Sequence, residues 1–299
     1  MRSHPPTLLK IAERTIDDAG LLAAGDCVVC AVSGGPDSMA LLHVLSKLAS
    51  RRGAHLAAHA VDHGLRSAAA EEIAIAERMA SDLGVPFSST RVQVRAGANL
   101  MARARATRYE ALDAALATWG RENGKKEPHA SCFLATGHHA DDRAETVLMR
   151  LLRGTGPVGL AVLPPRAGRL IRPFVRARRA DVIAHLDRHR IPHAHDPTNE
   201  DPRFFRTRVR CEALPLLEQL SPRIVEHLCD LADAMCELRE VGSEIVPDVL
   251  EGHRLGRAQR TELARALKNR NRRARVPLPG GKIATVDLSS RKIVLIEGG

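Results

Sequence analysis

The sequence predicts an α/β fold with a parallel sheet and a smaller α+β unit at the C-terminal end. Three observations lead to this fold. Short apolar runs alternate with stretches of helical periodicity between residues 27 and 153, which is typical of a parallel sheet covered by helices on both faces. A loop rich in glycine and serine, "SGGPDS" (33–38), follows the first apolar run. Short β-branched runs recur near the end of the chain after a long helical stretch.

The elements of the parallel sheet form a regular series. An amphipathic helix is predicted over residues 8–24. The run "CVVCAV" (27–32) is β-branched and bounded by Gly25-Asp26 and the glycine loop, so it is predicted to be a buried strand. Further strands are predicted at 55–61, 85–94 and 131–137, helices at 38–51, 69–83, 99–119 and 141–153, and a polar surface connection at 120–129.

The pattern changes after Gly154. Residues 154–173 are rich in glycine and proline, so a loop is predicted there. Helices are predicted at 176–190, at 209–240 (one or two helices) and at 257–268, and short strands in "ARVPLP", "KIATVDL" and "KIVLIE". We therefore place one domain at residues 1–212 and a helical linker with a small accessory domain at residues 213–299.

The charge of the chain predicts a polyanionic partner. Lys and Arg number 45 against 35 Asp and Glu in 299 residues, a net charge of +10. The alternative that the protein is a basic enzyme without a polyanionic partner stays open. No apolar run approaches the roughly 18 residues of a membrane span. Acidic residues precede any apolar stretch at the N-terminus, unlike a signal peptide. The six cysteines are scattered, so we expect a cytoplasmic protein with no membrane partner.

The loop at 33–38 has the composition of a phosphate-binding loop. Gly34 and Gly35 allow the backbone to approach a ligand, N–H groups at the start of the next helix can converge on an anion, and Ser33 and Ser38 add hydroxyl donors. Asp37 would repel phosphate unless a cation lies between them, which suggests Mg²⁺. An ordinary turn with Asp37 or Ser38 as the helix cap is the alternative.

Polar residues also follow the second and fourth predicted strands. Asp62 and His63 end the second strand and would face the same crevice as the loop, unless they only form a turn. Two imidazoles and two carboxylates lie where the fourth strand meets its helix: His138, His139, Asp141 and Asp142. This set suggests metal binding or proton transfer, with a simple helix cap as the alternative. Zinc is disfavoured because no cysteine stands at ligand spacing.

Arginines are concentrated in two regions that suit phosphate. Arg105, Arg108 and Tyr109 share one helical ridge, although a solvated helix face stays open. The stretch 166–190 contains eight arginines, and "RFFRTRVR" (203–210) interleaves four more with two phenylalanines. Exposed phenylalanines can stack on an unpaired base, whereas adjacent phenylalanines are more often partly in a core.

The loop "SGGPDS" resembles the SGGxDS pyrophosphate loop of the N-type ATP pyrophosphatases, which cleave ATP between the α- and β-phosphates. Four further segments narrow the resemblance: "AHAVDHGLR" (58–66), "ARATRY" (104–109), "ATGHHADDRAETVLMRLLRGTGPVGL" (135–160) and "DPTNEDPRFFRTRVR" (196–210). Together they resemble the bacterial tRNA(Ile)-lysidine synthetase family. The resemblance implies a Rossmann-like sheet and a ligase that uses ATP and Mg²⁺ to join free lysine to the wobble cytidine of tRNA(Ile) with a CAU anticodon, and leaves a homodimer open.

The resemblance also implies roles for single residues. Nucleotide contacts are implied for Ala31, Ser33, Gly34, Gly35, Pro36, Asp37, Ser38, Val61, Asp62, His63 and Gly137. Catalytic roles are implied for Asp37, Arg108, His138, Asp141 and Asp142, with Mg²⁺ on Asp37 and Asp141 and with Asp141 taking a proton from lysine. Contacts with tRNA are implied for Arg105, Arg176, Arg206 and Arg210, and for the accessory domain.

Two departures from the family and three other functions stay open. Arg143 stands where the family usually has glutamine, and Thr207 where it has asparagine. The other functions are a tRNA thiolase, a small-molecule amide synthetase and a nucleotide- or RNA-binding module without turnover. Cys27 and Cys30 form a C-x-x-C, but inside a strand their side chains point to opposite faces. We therefore interpret them as structural thiols.

Overall fold

The computed structural model describes residues 6–62, 64, 69–93, 100–123, 131–194, 203–245, 249–250, 252–256, 258–260, 262–263, 275–287 and 292–297. The chain forms two compact units. The larger unit contains residues 1–155 and 162–232, and the smaller contains residues 156–161 and 233–299. The domain limits predicted from the sequence stay a prediction. In the described part of the chain, none of the helices combines the length and the apolar character that a membrane span requires.

The larger unit is built on a six-stranded sheet. Its strands are β1 (Cys27–Val32), β2 (His55–Asp62), β3 (Phe87–Arg91), β4 (Cys132–Ala135), β5 (Arg166–Ala167) and β6 (Leu170–Ile171). Their order is β3-β2-β1-β4-β6-β5. All neighbours are parallel except β5 and β6, which are antiparallel. The predicted α/β fold with a parallel sheet is confirmed, but the loop predicted at 154–173 is wrong at β5 and β6, which extend the sheet.

Nine α-helices lie in the described residues between 8 and 245, and eight of them lie in the larger unit. They are α1 (Leu8–Asp18), α2 (Pro36–Arg52), α3 (Ala69–Asp82), α4 (Leu100–Asn123), α5 (Ala140–Leu152), α6 (Arg179–His189), α7 (Phe205–Arg208), α8 (Leu214–Leu220) and α9 (Ile224–Ile245), of which α9 begins in the larger unit. A π-helical turn, Val209–Ala213, joins α7 to α8. Helix α1 ends before the predicted residue 24 because Gly20 adopts φ +55° and the N–H of Leu21 closes onto the carbonyl of Ile16.

The central strand β1 divides the core into two layers. Val28, Cys30 and Val32 pack on one face with residues of α1, α2 and α6. Val29 and Ala31 pack on the other face, where α4 covers them. Because side chains alternate along a strand, both faces of β1 are buried. The carboxyl end of β1 therefore opens onto the glycine loop between two filled layers.

The smaller unit contains short antiparallel sheets. Strands β7 (Val249–Leu250) and β8 (His253–Arg254) form a hairpin, and β9 (Arg275–Pro277), β10 (Lys282–Asp287) and β11 (Lys292–Glu297) form a sheet in the order β11-β10-β9. Its core contains Leu255, Leu263, Val276, Leu278, Ala284 and Val286. Of the helix predicted at 257–268, residues 258–260 and 262–263 are described and helical.

Candidate active site

The glycine loop at the carboxyl end of β1 is held in shape by its serines. Ser38 Oγ donates to the carbonyl of Gly35 at 2.9 Å and accepts from the N–H of Ser33 at 3.1 Å. Gly35 is the N-cap of α2, followed by Pro36 at its first position, so neither Asp37 nor Ser38 is the cap. Gly35 has no side chain to satisfy the first N–H groups of α2, and these can converge on an anion.

Gly34 and Gly137 allow close packing around this loop. Gly34 has φ +76°, and a Cβ atom there would overlap the carbonyl group of Glu72. A Cβ atom on Gly137 would lie 2.8 Å from the carbonyl oxygen of Asp37. Gly137 therefore lets the loop between β4 and α5 pack directly against the start of α2, which brings the two groups of predicted site residues together.

Asp37 is the least satisfied carboxylate in the site. Its Oδ1 is buried and has no hydrogen-bond partner among the described residues. Burial raises the pKa of Asp37, and the nearby His139 only partly opposes this shift. The charged form of Asp37 is therefore costly without a cation at Oδ1. A cation with oxygen ligands fits this position.

His139 faces three carboxylates at the start of α5. It is 1% exposed, and its ring nitrogens lie 3.8 Å from Asp37 Oδ1, 3.5 Å from Asp141 Oδ2 and 3.4 Å from Asp142 Oδ2. Burial alone would lower the pKa of His139, but the three carboxylates raise it overall. His139 is also the N-cap of α5, and its N–H donates to Asp142 Oδ2. The cap is thus the histidine of the predicted group and not one of its carboxylates.

Asp141 is bound on both oxygens by the start of α6. Oδ1 accepts from Arg178 Nε at 3.2 Å and Nη2 at 3.1 Å, and Oδ2 accepts from the N–H of Arg179 at 2.7 Å. Burial by itself would raise the pKa of Asp141. Hydrogen bonds from His139, Arg178 and Arg179 outweigh this effect and hold the pKa far below its usual value. Magnesium binding and proton transfer by Asp141 stay predictions that these contacts disfavour.

Arg178 joins three helices through carboxylates. Besides Asp141 of α5, it contacts Glu218 of α8 at 2.5 Å and Glu226 of α9 at 3.3 Å. The sequence indicated only that Arg178 lies in an arginine-rich stretch. Its partners are 37 to 48 residues away in the chain, so no local pattern could have identified them.

Two arginines predicted to bind tRNA pair with carboxylates of α5. Arg206 donates to Asp142 at 2.6 Å and to Glu145 at 2.7 Å, and Arg210 donates to Glu145 at 2.6 Å. Glu145 is 1% exposed, so these ion pairs satisfy a buried charge. Burial by itself would raise the pKa of Asp142, but the charges of His139 and Arg206 outweigh this effect and lower the pKa. Contacts of either arginine with tRNA stay a prediction.

His138 and the two departures from the family lie beside this acidic group. His138 Nδ1 is 2.9 Å from the hydroxyl of Thr136, and burial lowers the pKa of His138 to about 4, with Asp142 opposing the shift. His138 is therefore neutral at pH 7. Arg143 is fully buried, and its Nε donates to the carbonyl of Val162 at 3.0 Å. Thr207 is buried in α7.

The other predicted nucleotide contacts lie at the ends of β1 and β2. Ala31 is buried in β1, and Val61 is half-buried near the end of β2. Asp62 Oδ1 accepts from the N–H of Gly64 at 2.8 Å, which forms the turn considered as the alternative. His63 lies outside the described residues.

The predicted arginine ridge on α4 is present. The Arg105 guanidinium lies over the Tyr109 ring, 5.1 Å from its centre. Burial lowers the pKa of Arg108. Arg176 is exposed just before α6.

The C-x-x-C cysteines are both buried in β1. Burial raises the pKa of Cys27 to about 11 and raises the pKa of Cys30 still further, so both are protonated thiols at neutral pH. In the part of the chain that the structure describes, no group of three or more His, Cys, Asp or Glu residues is arranged to hold a metal ion.

Comparison with known proteins gives a consistent family. The PP-loop domain family matches residues 8–217. Proteins named tRNA(Ile)-lysidine synthase are similar to this chain: that of Symbiobacterium thermophilum is 38% identical over 244 residues, covering 78% of this chain and 48% of that protein. That of Pseudomonas aeruginosa is 39% identical over 231 residues, with 73% and 49% covered. The chain thus spans about half the length of these relatives.

A third relative and one solved structure complete the comparison. The tRNA(Ile)-lysidine synthase of Leifsonia xyli subsp. xyli is 40% identical over 234 residues, with 77% of this chain and 66% of that protein covered. The U34-tRNA thiolase NcsA from Methanococcus maripaludis, solved with its [4Fe-4S] cluster, has a TM-score of 0.61 at 19% identity, covering 77% of this chain and 79% of that chain. This likeness shows the fold alone.

Proposed function

The chain belongs to the PP-loop domain family, and from this premise we propose that it joins free lysine to the wobble cytidine of tRNA(Ile) with a CAU anticodon, using ATP. The observation that carries the proposal is the packing of the glycine loop, with its unsatisfied Asp37, against the acidic start of α5. The relatives named tRNA(Ile)-lysidine synthase support the choice of substrate. The reaction would take place in the cytoplasm.

The phosphates of ATP would bind at the start of α2. The loop offers the hydroxyl of Ser33, while Ser38 holds the loop in shape. The uncapped N–H groups of α2 favour negative charge. The base would lie near Ala31, Val61 and His63, at the carboxyl ends of β1 and β2, where open α/β sheets bind nucleotides. Gly34 has a positive φ, which favours glycine, and as glycine it places no side-chain atoms in this part of the loop.

Magnesium would be held by Asp37. Its buried Oδ1 accepts no hydrogen bond from a described residue, so the chemistry of this oxygen fits a hard cation. When bound, Mg²⁺ would offset the charge that Asp37 and the phosphates bring together. Asp141, whose oxygens already accept from Arg178 and Arg179, is a poorer ligand in this arrangement.

The proposed reaction has two steps. The 2-oxo group of the cytidine attacks the α-phosphorus of ATP, a C–O–P bond forms, and pyrophosphate leaves with the bridging oxygen. Loop N–H groups and arginines stabilise the charge that develops. The ε-amine of lysine then attacks C2 of the activated cytidine, the bond from C2 to the AMP oxygen breaks, and the amine gives up a proton.

His138 suits the proton better than Asp141. Asp141 accepts hydrogen bonds from two arginines and has a strongly lowered pKa, which makes it a weak base. Burial lowers the pKa of His138 to about 4, which also weakens it as a base, but this pKa stays above that of Asp141. His138 is neutral at pH 7, and its Nδ1 lies 2.9 Å from the Thr136 hydroxyl. We therefore assign the proton to His138, with Asp141 orienting His139.

Binding of tRNA would rest on the positive charge of the chain. Arg105 and Arg176 are exposed and suited to phosphates. Arg206 and Arg210 form ion pairs with Asp142 and Glu145, so in this arrangement their charges balance these carboxylates rather than phosphates. The accessory unit would add further phosphate contacts.

Mass spectrometry of tRNA nucleosides tests the function directly. The purified chain is incubated with ATP, Mg²⁺, lysine and a tRNA(Ile) transcript with a CAU anticodon, and lysidine, AMP and pyrophosphate are expected in equal amounts. A transcript with a GAU anticodon is the matched control and is expected to stay unmodified. Absence of lysidine under conditions where the chain binds both ATP and tRNA would overturn the proposal.

A further inference from the structure

Two of the seven aromatic residues are exposed, and they are adjacent. The chain has five Phe, one Trp and one Tyr. Phe133 and Phe174 are buried, and Phe87, Tyr109 and Trp119 pack against the core clusters. Phe204 and Phe205, by contrast, are 53% and 39% exposed. In a protein this poor in aromatic residues, two neighbouring exposed rings are a strong sign of a binding surface.

These rings lie at the start of the short helix that carries Arg206, an arginine of the candidate active site. Phe205 begins α7, and the next residue, Arg206, contacts Asp142 and Glu145 of α5. Arg153, the C-cap of α5, places its guanidinium carbon 5.4 Å from the centre of the Phe205 ring. The ring is therefore held from one side by a cation, while a large part of its surface stays open to solvent.

The surroundings favour nucleic acid over an apolar partner. Exposed arginines surround the rings: Arg203 and Arg208 are close to them in the chain, and Arg153 contacts Phe205. The whole chain has a net charge of +10. Aromatic rings and planar guanidinium groups are the side chains on which unpaired bases stack, and neighbouring arginines attract the phosphates on either side.

We propose that Phe204, Phe205 and Arg153 form a stacking platform for an unpaired base that is next to the modified cytidine in the RNA substrate. The identity of this RNA rests on the proposed function. Stacking would hold the neighbouring base along α5, so that the target base is directed towards the loop at 33–38. The ligand at the platform is the face of a nucleobase, and the phosphates are bound by the arginines around it.

A cycle of protein and RNA changes tests this proposal. The affinity of an anticodon stem-loop is measured for the wild type and for Phe205→Ala, with the intact RNA and with RNAs that are abasic at the nucleotide on either side of the target cytidine. Phe205→Ala is expected to bind the intact RNA about 10-fold more weakly. The same change should have no further effect on one of the two abasic RNAs, because the stacked base is already missing.

Two further variants separate stacking from apolar contact. Phe205→Tyr keeps an aromatic face and should bind like the wild type, whereas Phe205→Leu should bind as weakly as Phe205→Ala. The matched control is Leu220→Ala, which removes another exposed apolar side chain about 22 Å further along the helical stretch from residue 205 to 220. It should leave affinity unchanged, and circular dichroism checks that every variant is folded.

The outcomes distinguish this proposal from the function on which it rests. Equal affinity of Phe204→Ala, Phe205→Ala and wild type, full binding by Phe205→Leu, or additive losses with both abasic RNAs would each overturn the platform. Coupling between Phe205 and one neighbouring base, without lysidine formation by the wild type, would support the platform and overturn the proposed function. Lysidine formation by the wild type without any coupling between Phe205 and a neighbouring base would support the proposed function and overturn the platform.

Discussion

Arg178 donates to both oxygens of Asp141: Nε and Nη2 lie 3.2 Å and 3.1 Å from Oδ1, and Nε lies 3.4 Å from Oδ2. The pair connects the first turn of α5 to the residue that precedes α6, and Arg178 extends the connection to Glu218 and Glu226. Asp141 in turn lies 3.5 Å from His139, which faces Asp37. An arginine outside the glycine loop thus fixes the orientation of groups that face the loop.

Arg178→Ala is expected to destabilise the protein by about 2 kcal/mol at pH 7, since charged hydrogen bonds to a partly buried carboxylate are lost. Because the pKa of Asp141 is lowered in the folded state, its ionised carboxylate stabilises the protein fully above the unfolded pKa of about 4. This stabilisation is lost as the pH falls below about 4. The difference between wild type and variant should therefore shrink below about pH 4. Urea denaturation at several pH values measures it.

Arg208→Ala is the control for this variant. Arg208 pairs with Glu212 on an exposed helical surface, and such pairs contribute little. We expect no measurable change. An effect of Arg178→Ala as small as that of Arg208→Ala would contradict the role given to Arg178.

Asp37→Asn is expected to separate stability from activity. Burial raises the pKa of Asp37, so its charge is unfavourable in the folded state. This cost grows as the pH rises above the unfolded pKa of about 4 and is complete above the folded pKa. In magnesium-free buffer at pH 7, Asp37→Asn should therefore melt at a higher temperature than the wild type. Lysine incorporation should fall at least about 100-fold because the ligand for the cation is lost.

Asp37→Ala extends this test to a side chain with no polar atoms. It too should stay folded, because Asp37 Oδ1 has no hydrogen-bond partner to lose in the described residues. Retained lysine incorporation by either variant would rule out the role of Asp37 in holding magnesium.

Gly34→Ala is expected to be more destabilising than Gly84→Ala. Both glycines have positive φ, +76° and +65°, which costs an alanine about 1 kcal/mol. Only at Gly34 would the new Cβ meet backbone, the carbonyl group of Glu72, whereas nothing lies within 4 Å at Gly84. Gly34→Ala should lower the free energy of unfolding by about 1–3 kcal/mol more than Gly84→Ala does, and it should also weaken ATP binding. Equal free energies of unfolding for the two variants would refute the close approach.

The histidines between α2 and α6 are expected to make the protein acid-sensitive. His43 Nδ1 lies 2.9 Å from His185 Nε2, and burial lowers the pKa of both residues to about 4. The unfolded chain therefore binds more protons between about pH 4 and 6.5, and stability falls as the pH is lowered through this window. The slope of the unfolding free energy against pH measures how many more protons the unfolded chain binds than the folded chain. His43→Gln should reduce this number by less than one. An unchanged slope would show that His43 does not contribute.

The sheet could be predicted wherever its signal is local. Strand β1 has the predicted ends, and β2 ends one residue beyond the prediction, because each is an apolar run bounded by turn residues. Strands β5 and β6 were missed because two residues are too few to show a period. They are strands only because β4 offers an edge to β6.

The sequence by itself determined the alternation of strands and helices from β1 to α5, the glycine- and serine-rich composition of the loop at 33–38 and the acidic start of α5, because these depend on residues close together in the chain. Only the tertiary structure decided which charges meet. Arg178 reaches Asp141 across 37 residues and Arg206 reaches Glu145 across 61, and such pairs leave no periodic trace in the sequence. The physical reason is that buried carboxylates must find cations wherever the packed helices bring them, so the partners are selected by packing rather than by position in the chain.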